Sequence, residues 1–321
     1  MRCLVTGAAG FIGSHLTQAL VAQGHEVVGV DCLTSYYGRV RKELNIREAA
    51  ARGPFQFLEL DLHDAALAGL LRGADVVFHL AGQPGVRSSW GTGFADYARN
   101  NVTVTQRLLE ASQWAGIRRF VYASSSSVYG NTAQLPTTES DPCRPFSPYG
   151  VTKLAAENLC SAYADNGRVE AVSLRYFTVY GPRQRPDMAF SRFISMALRG
   201  DPLPLNASGE QVRDFTYVDD VVRANLAAAV LPVSPGAVFN IAGGVRVTMT
   251  EVLLLLQEVL GMQVGIERRR AQAGDVRATA GDTAAANEVL GWSPVVDLRT
   301  GLERQVSWQR ETADEFAGHL I

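Results

Sequence analysis

The stretch TGAAGFIG, Thr6 to Gly13, joins an apolar run, CLVT, to a run with helical spacing, FIGSHLTQALVAQG. Glycines at 7, 10 and 13 let the backbone come close to a pyrophosphate, and the free N–H groups at the positive end of the following helix then hold the anion. Such a glycine pattern is weak when it stands alone. Its context adds weight: the next apolar run, EVVGV, ends at Asp31, 24 residues after Gly7 and near the spacing of about 20 at which an acid accepts from the adenosine ribose hydroxyls. A carboxylate there repels a 2′-phosphate, so the expected cofactor is NAD rather than NADP. An ordinary strand-to-helix turn followed by a surface acid is the alternative.

Outward from that turn the chain alternates. FQFLEL, DVVFHL, RRFVYA and VEAVSLRY read as buried strands separated by helical patterns such as NVTVTQRLLEASQWAG, and continuous apolar strands between helices make a parallel sheet covered on both faces. The expected fold class is α/β, a Rossmann-type doubly wound sheet with a smaller C-terminal α/β substrate lobe. Beyond residue 180 proline-rich loops and shorter helices take over. One helix opens on the capping box of Thr248 and Glu251 and stops at Gly261; another starts after Asp282 and ends before Gly291. The division expected is an NAD-binding domain over 1–178, with about 212–245 returning to it, and a mainly substrate-binding lobe over 179–321. The cleft between them is the default ligand site.

Composition narrows the partners. With 321 residues, 47 % hydrophobic, and a net charge of −2, nothing points to nucleic acid or to an anionic membrane surface. The four cysteines are far apart and show no CxxC spacing, so they are expected as reduced thiols, with no metal. The sequence opens on the apolar strand without a charged leader, and a cytoplasmic protein is expected. Of the 30 basic residues only two are lysine, Lys42 and Lys153.

Lys153 stands in the segment SPYGVTK, four residues after Tyr149, so in a helix beginning near Pro148 the two project from one face about a turn apart. An ammonium beside a phenol stabilises phenolate and draws its pKa down towards that of a working general base. In a chain that uses arginine almost everywhere, a retained lysine implies a need for a compact point charge within reach of ribose hydroxyls. A solvated Tyr and Lys pair is the alternative.

With TGAAGFIG, HLAG, YASSSSVYG and YGVTK in this order, the chain resembles the extended short-chain dehydrogenase/reductase family, and within it the NAD-dependent nucleotide-sugar epimerases and dehydratases. The resemblance spans nearly the whole chain, through VRDFTYVDD and GDVRATAGD. It implies a bound NAD that oxidises a sugar at C4 to a 4-keto intermediate, a homodimer built on helices 101–115 and 149–165, and catalysis by Ser125, Tyr149 and Lys153. Related dehydratases carry an acid pair directly after that serine, and related decarboxylases a Glu at the second position. Here both are serine, Ser126 and Ser127, so elimination lacks its acid and base and the keto sugar is expected to be re-reduced as the C4 epimer.

The segment TVYGPRQRPDMA looks like that of UDP-glucuronate 4-epimerases, which implies that Arg185 meets the C6 carboxylate, with Arg192 as a second candidate; a planar guanidinium suits a carboxylate. Pairing of Arg185 with Asp187 is the alternative. The same resemblance puts Gly7, Gly10, Phe11, Ile12, Gly13, Asp31, Asp61, Leu62, Leu80, Ala81, Gly82, Asn100 and Phe177 at the cofactor, and Arg87, Ser88, Ser126, Thr178, Arg213 and Asp275 at the UDP-sugar. Thr178 departs from the Asn of simple galactose epimerases. UDP-glucose/UDP-galactose epimerisation, UDP-glucuronate decarboxylation and an inactive NAD-binding scaffold are the competing readings.

Overall fold

The computed structural model describes residues 1–132, 134–206, 208–269 and 276–313. Strand β1 (Arg2–Thr6) passes through the glycine turn into α1 (Phe11–Ala22), followed by β2 (Glu26–Asp31), α2 (Arg39–Ala50), β3 (Phe55–Glu59), α3 (Leu67–Leu70) and β4 (Val76–His79). Next come α4 (Phe94–Tyr97), a π-helical turn at Ala98–Thr103, α5 (Val104–Ala115), β5 (Arg119–Ser125), α6 (Pro148–Asp165) and β6 (Ala171–Tyr176). The remainder comprises β7 (Val179–Tyr180), α7 (Ala189–Leu198), β8 (Leu203–Asn206), β9 (Val212–Asp214), β10 (Thr216–Tyr217), α8 (Val218–Val230) and β11 (Val238–Ile241), then β12 (Arg246–Thr248), α9 (Met249–Leu260), β13 (Ile266–Arg269), α10 (Ala284–Leu290) and α11 (Leu298–Glu311).

Seven of these strands form one parallel sheet in the order β11-β6-β5-β4-β1-β2-β3. Apolar runs with no polar alternation produce it, because both faces are covered: Cys3, Val5, Val27, Phe78 and Val121 face one core and Leu4, Val28, Val77 and Phe120 the other. The second core is closed by α5 and α6 through Leu108, Leu109, Ala156 and Cys160. The first lies under α1 and α8 and continues into the C-terminal segments through Phe190, Phe193, Leu256 and Leu302. The chain turns outward in opposite directions from β1 and β4, which leaves a crevice at their C-terminal ends, where ligands of such sheets bind.

The late strand β11 extends this sheet beside β6, so residues within 212–245 lie against the first 178. Three two-stranded ribbons, β10 with β7, β12 with β9 and β13 with β8, build the C-terminal part. The capping box forms: Thr248 Oγ1 accepts from Glu251 N at 3.1 Å, and Glu251 Oε2 accepts from Thr248 N at 2.7 Å. Helix α9 then ends at Gly261, whose φ of 69° is the left-handed conformation glycine adopts without strain. At α10 the N-cap is Thr283, one residue later than expected from Asp282, which instead accepts from Ala284 N at 2.8 Å. No helix among the described residues is long and apolar enough to cross a membrane.

Candidate active site

At the crevice Gly7 adopts φ +71° and its N–H donates to Val30 O at 2.8 Å. A side chain at Gly7 would bring its Cβ within 2.8 Å of Ala81 N, and one at Gly13 would drive into the Gly7 carbonyl. Glycine is therefore required twice over, for the turn and for seating α1 against it. Gly10 caps α1 without a side-chain acceptor, leaving the helix's first N–H groups directed at a cavity lined by Gly7, Gly10, Phe11, Ile12 and Gly13. Such a cradle, with an acid at the end of β2, fits a dinucleotide.

The same cavity is walled by Asp31, Asp61, Leu62, Leu80, Ala81, Gly82, Asn100, Tyr149 and Lys153. Asp31 Oδ1 accepts from Leu33 N at 2.8 Å, and Asp61 accepts from His63 N at 2.9 Å and pairs with Arg99 at 2.8 Å. The floor is fixed from below by His79. Its ring bonds Thr6 Oγ1 at 2.8 Å and Thr105 Oγ1 at 2.9 Å, and burial drives its pKa down to about 3, so it is neutral here. Asn101 was not apparent from the sequence: its amide accepts from Gln83 N at 2.7 Å and donates to Thr152 Oγ1 at 3.0 Å, tying the loop after β4 to α6.

Ser124 and Ser125 end β5 and point to opposite sides, as neighbours on a strand must. Ser124 Oγ donates to Glu157 Oε2 at 2.6 Å. Ser125 caps a short 3₁₀ turn over Ser126–Val128, accepting from Ser127 N at 3.2 Å. Helix α6 begins at Pro148 because Ser147 Oγ accepts from Gly150 N at 3.1 Å and proline suits the first turn. A Cβ on Gly150 would lie 2.5 Å from Ser127 O, so this glycine lets α6 sit directly on the serine turn. Tyr149 is thereby set near Ser125, whose hydroxyl acts to lower its pKa, with the Tyr97 ring edge-on at 6.2 Å.

The electrostatics differ from the expectation for Tyr149 and Lys153. Burial raises the Tyr149 pKa above its ordinary value, and the groups that pull it back are the Ser125 hydroxyl and the Arg185 guanidinium. Lys153 Nζ lies over the Tyr122 ring, 4.6 Å from its centre, and burial brings its pKa down to about 8. The two side chains do share a helix face, but the lysine reaches inward to β5. The field that opposes burial at the phenol comes from Ser125 and Arg185 rather than from this ammonium.

Arg185 also faces the cavity. Its Nε and Nη2 hold Asp187 in a fork at 3.0 and 2.9 Å, and Tyr36 donates to the same carboxylate at 3.3 Å. The alternative of a pair with Asp187 is thus realised, at the cavity itself. Phe177 requires a correction: strand alternation turns its ring into a cluster with Val128, Tyr129 and Ala242, while Tyr176 lines the cavity and donates to Asn225 at 2.9 Å. Ser88 Oγ bonds Tyr97 Oη at 2.6 Å, Arg87 is exposed on a 3₁₀ turn, and Arg192 lies within α7. Ser126 O accepts from Tyr129 N, Thr178 O from Thr216 N, and Arg213 donates to Val212 O at 2.9 Å. Among the described residues, Arg87, Ser88, Ser125, Ser126, Thr178, Arg192 and Arg213 are not part of the cavity wall that holds Tyr149, whereas Ser124, next to the expected catalytic serine, is. Asp275 lies outside the described residues.

Known proteins share this fold. A solved UDP-glucuronic acid 4-epimerase from Bacillus cereus, in complex with UDP-glucuronic acid and NAD, superposes with a TM-score of 0.93 at 42 % identity, over 97 % of this chain and 99 % of that one. MoeE5 in complex with UDP-glucuronic acid and NAD gives 0.88 at 44 % identity, over 97 % and 100 %. An uncharacterised UDP-glucose epimerase of Bacillus subtilis is 42 % identical over 96 % of this chain and 98 % of its own length. Residues 3–242 match a family model that spans the glycine turn, Ser125, Tyr149 and Lys153, and the chain belongs to the NAD dependent epimerase/dehydratase family.

Proposed function

We propose that the protein is an isomerase that inverts C4 of UDP-glucuronate to give UDP-galacturonate, using NAD. The observation that carries the reading is the convergence of Tyr149, Lys153 and Arg185 on one cavity with the glycine cradle, next to a serine turn that offers no acid pair for elimination. NAD, when bound, takes up a hydride from a carbinol carbon and returns it, and in its oxidised form it brings a positive charge to the site.

The chain's residues handle the proton. Ser125 hydrogen-bonds the sugar O4 and relays its proton to Tyr149 Oη, and the same path delivers it back after the sugar has turned over. Lys153, a compact point charge rather than a guanidinium's fork, serves the ribose side of the tyrosine. Gly7, Gly10, Phe11, Ile12, Gly13, Asp31, Asp61, Leu62, Leu80, Ala81, Gly82 and Asn100 hold the dinucleotide, with Tyr176 taking the part expected of Phe177. Arg87, Ser88, Ser126, Thr178, Arg192, Arg213 and Asp275 are assigned to the UDP-sugar on family resemblance. We read residues 1–178 with 212–245 as the cofactor domain and the rest as the substrate lobe. A cytoplasmic homodimer through α5 and α6 completes the reading; Trp114 and Val151, 78 % and 50 % exposed, supply apolar contact.

Arg185 does two things in this account. It exchanges Asp187 for the substrate carboxylate, and by fixing that carboxylate's rotation it keeps the C–CO₂ bond out of the orientation in which a β-keto acid loses CO₂. Loss of one charge-assisted contact of this kind costs about 1.5–3 kcal/mol. Arg185→Leu is therefore expected to weaken kcat/KM for UDP-glucuronate about 10- to 100-fold and to leave any UDP-glucose turnover within about threefold; equal losses on both substrates would remove carboxylate recognition from Arg185.

A second reading has its own support. The Asp187 fork already neutralises Arg185, which admits an uncharged hexose, and MoeE5 is solved in complex with UDP-glucose as well as UDP-glucuronic acid. Incubation with each sugar nucleotide and separation of the products decides between them. UDP-galacturonate supports the first reading, UDP-galactose alone the second, and a UDP-pentose indicates decarboxylation.

A further inference from the structure

The scarcity of lysine applies to both members of the pair. Lys42, on α2, is only 4 % exposed and stands in the wall of the same cavity as Lys153. Its Nζ donates to the Thr34 carbonyl at 3.0 Å and to Thr34 Oγ1 at 3.2 Å, and lies over the Tyr37 ring, 4.8 Å from its centre. Asp31 Oδ1 is 3.9 Å from that ammonium. Burying an ammonium is costly unless other groups replace its water, and here a carbonyl, a hydroxyl, a ring face and a carboxylate do so. The distance to Asp31 matters most. It is too long for a direct hydrogen bond, yet short enough for one hydroxyl to accept from Nζ and donate to the carboxylate at once.

We propose that Lys42 is a binding residue of the cofactor site, donating to an adenosine ribose hydroxyl that in turn donates to Asp31, and keeping Asp31 ionised for that purpose. The proposal rests on the reading of Asp31 as the ribose acceptor. The surroundings of Asp31 fit it: burial and Glu59 on β3 push its pKa up, while Lys42 on α2 and the N–H groups of Leu33 and Ala9 hold it down. Around Lys42, burial lowers the pKa while Asp31 and Cys32 raise it. Removing the ammonium leaves only the N–H groups of Leu33 and Ala9 to oppose burial and Glu59, so Asp31 takes up a proton at a higher pH than before.

The test is calorimetric titration of NAD into the full chain freed of nucleotide, between pH 6 and 8. Lys42→Met is expected to weaken NAD binding tenfold or more at pH 7.5, and on acidification its binding is expected to fall off at a higher pH than that of the unsubstituted protein. Lys42→Gln, a polar and uncharged replacement, repeats the measurement if the methionine variant unfolds, which its melting temperature reveals. Asp31→Asn separates the two layers of the argument. If Asp31→Asn leaves NAD affinity unchanged, the ribose reading itself fails; if it weakens NAD binding but folded Lys42→Met or Lys42→Gln binds NAD normally at every pH, only the assignment of Lys42 is overturned. NADP bound as tightly as NAD, and lost selectively in Lys42→Met, would also overturn it, because the ammonium would then be a 2′-phosphate site.

Discussion

Tyr149→Phe lowers kcat on UDP-glucuronate about a thousandfold, within the range that a positioned acid or base contributes, while NAD still binds and the melting temperature stays within a few degrees. The size follows from what the hydroxyl touches. The Ser125 hydroxyl acts to lower the pKa of the Tyr149 phenol, and with the phenol gone the serine hydroxyl has no acceptor for the O4 proton. The ring remains against Tyr97, so the packing of α6 on the serine turn is preserved. KM is expected to change little, since the lost contact strengthens only as O4 gives up its proton. Rapid-quench and steady-state kinetics on the purified variant check this; a kcat within tenfold of the parent would remove Tyr149 from the proton path.

Glu157→Ala destabilises the fold by about 3–5 kcal/mol, the cost of leaving a buried partner charge uncompensated. Glu157 sits one turn beyond Lys153 on α6. It accepts from Arg175 Nη2 at 2.6 Å and from Ser124 at 2.6 Å, so helix, β5 and β6 meet at one carboxylate. Arg175 Nη1 donates in turn to Tyr129 Oη at 2.6 Å, which donates to Asn240 Oδ1 at 2.7 Å on β11. Removing Glu157 strands a guanidinium that is 5 % exposed. Replacing both partners together, Glu157→Leu with Arg175→Met, is expected to restore most of the loss, as apolar isosteres of buried ion pairs commonly do. Denaturant melts of the three proteins check the account; a single variant within 1 kcal/mol of the parent would contradict it.

These two cases show where the sequence is legible. The glycine turn, the buried strands and the start of α6 follow from local chemistry, because a positive φ, an apolar run and a Ser-Pro cap each constrain a few adjacent residues. The Glu157 network does not, since its hydrogen-bonded partners stand between 18 positions apart, Glu157 to Arg175, and 111 apart, Tyr129 to Asn240, and no spacing announces them. That Tyr176 lines the cavity while the Phe177 ring packs away from it is not legible in the sequence, because successive residues of an extended chain face opposite ways and only the fold reveals which face meets the cavity. For Tyr149 and Lys153, helical spacing correctly implies a shared face, yet side-chain direction, and with it the source of the field on the phenol, depends on what β5 offers the ammonium. Lys42 had a usable signal: the rarity argument made for Lys153 applies equally to it.

The central claim is that C4 is inverted by removing and returning the same hydrogen, with only the O4 proton passing through Ser125 and Tyr149. Turnover of UDP-glucuronate in D₂O, with the product analysed by NMR and mass spectrometry, tests it most directly. The account predicts UDP-galacturonate carrying protium at C4. Deuterium at C4, or a UDP-pentose in its place, would contradict it.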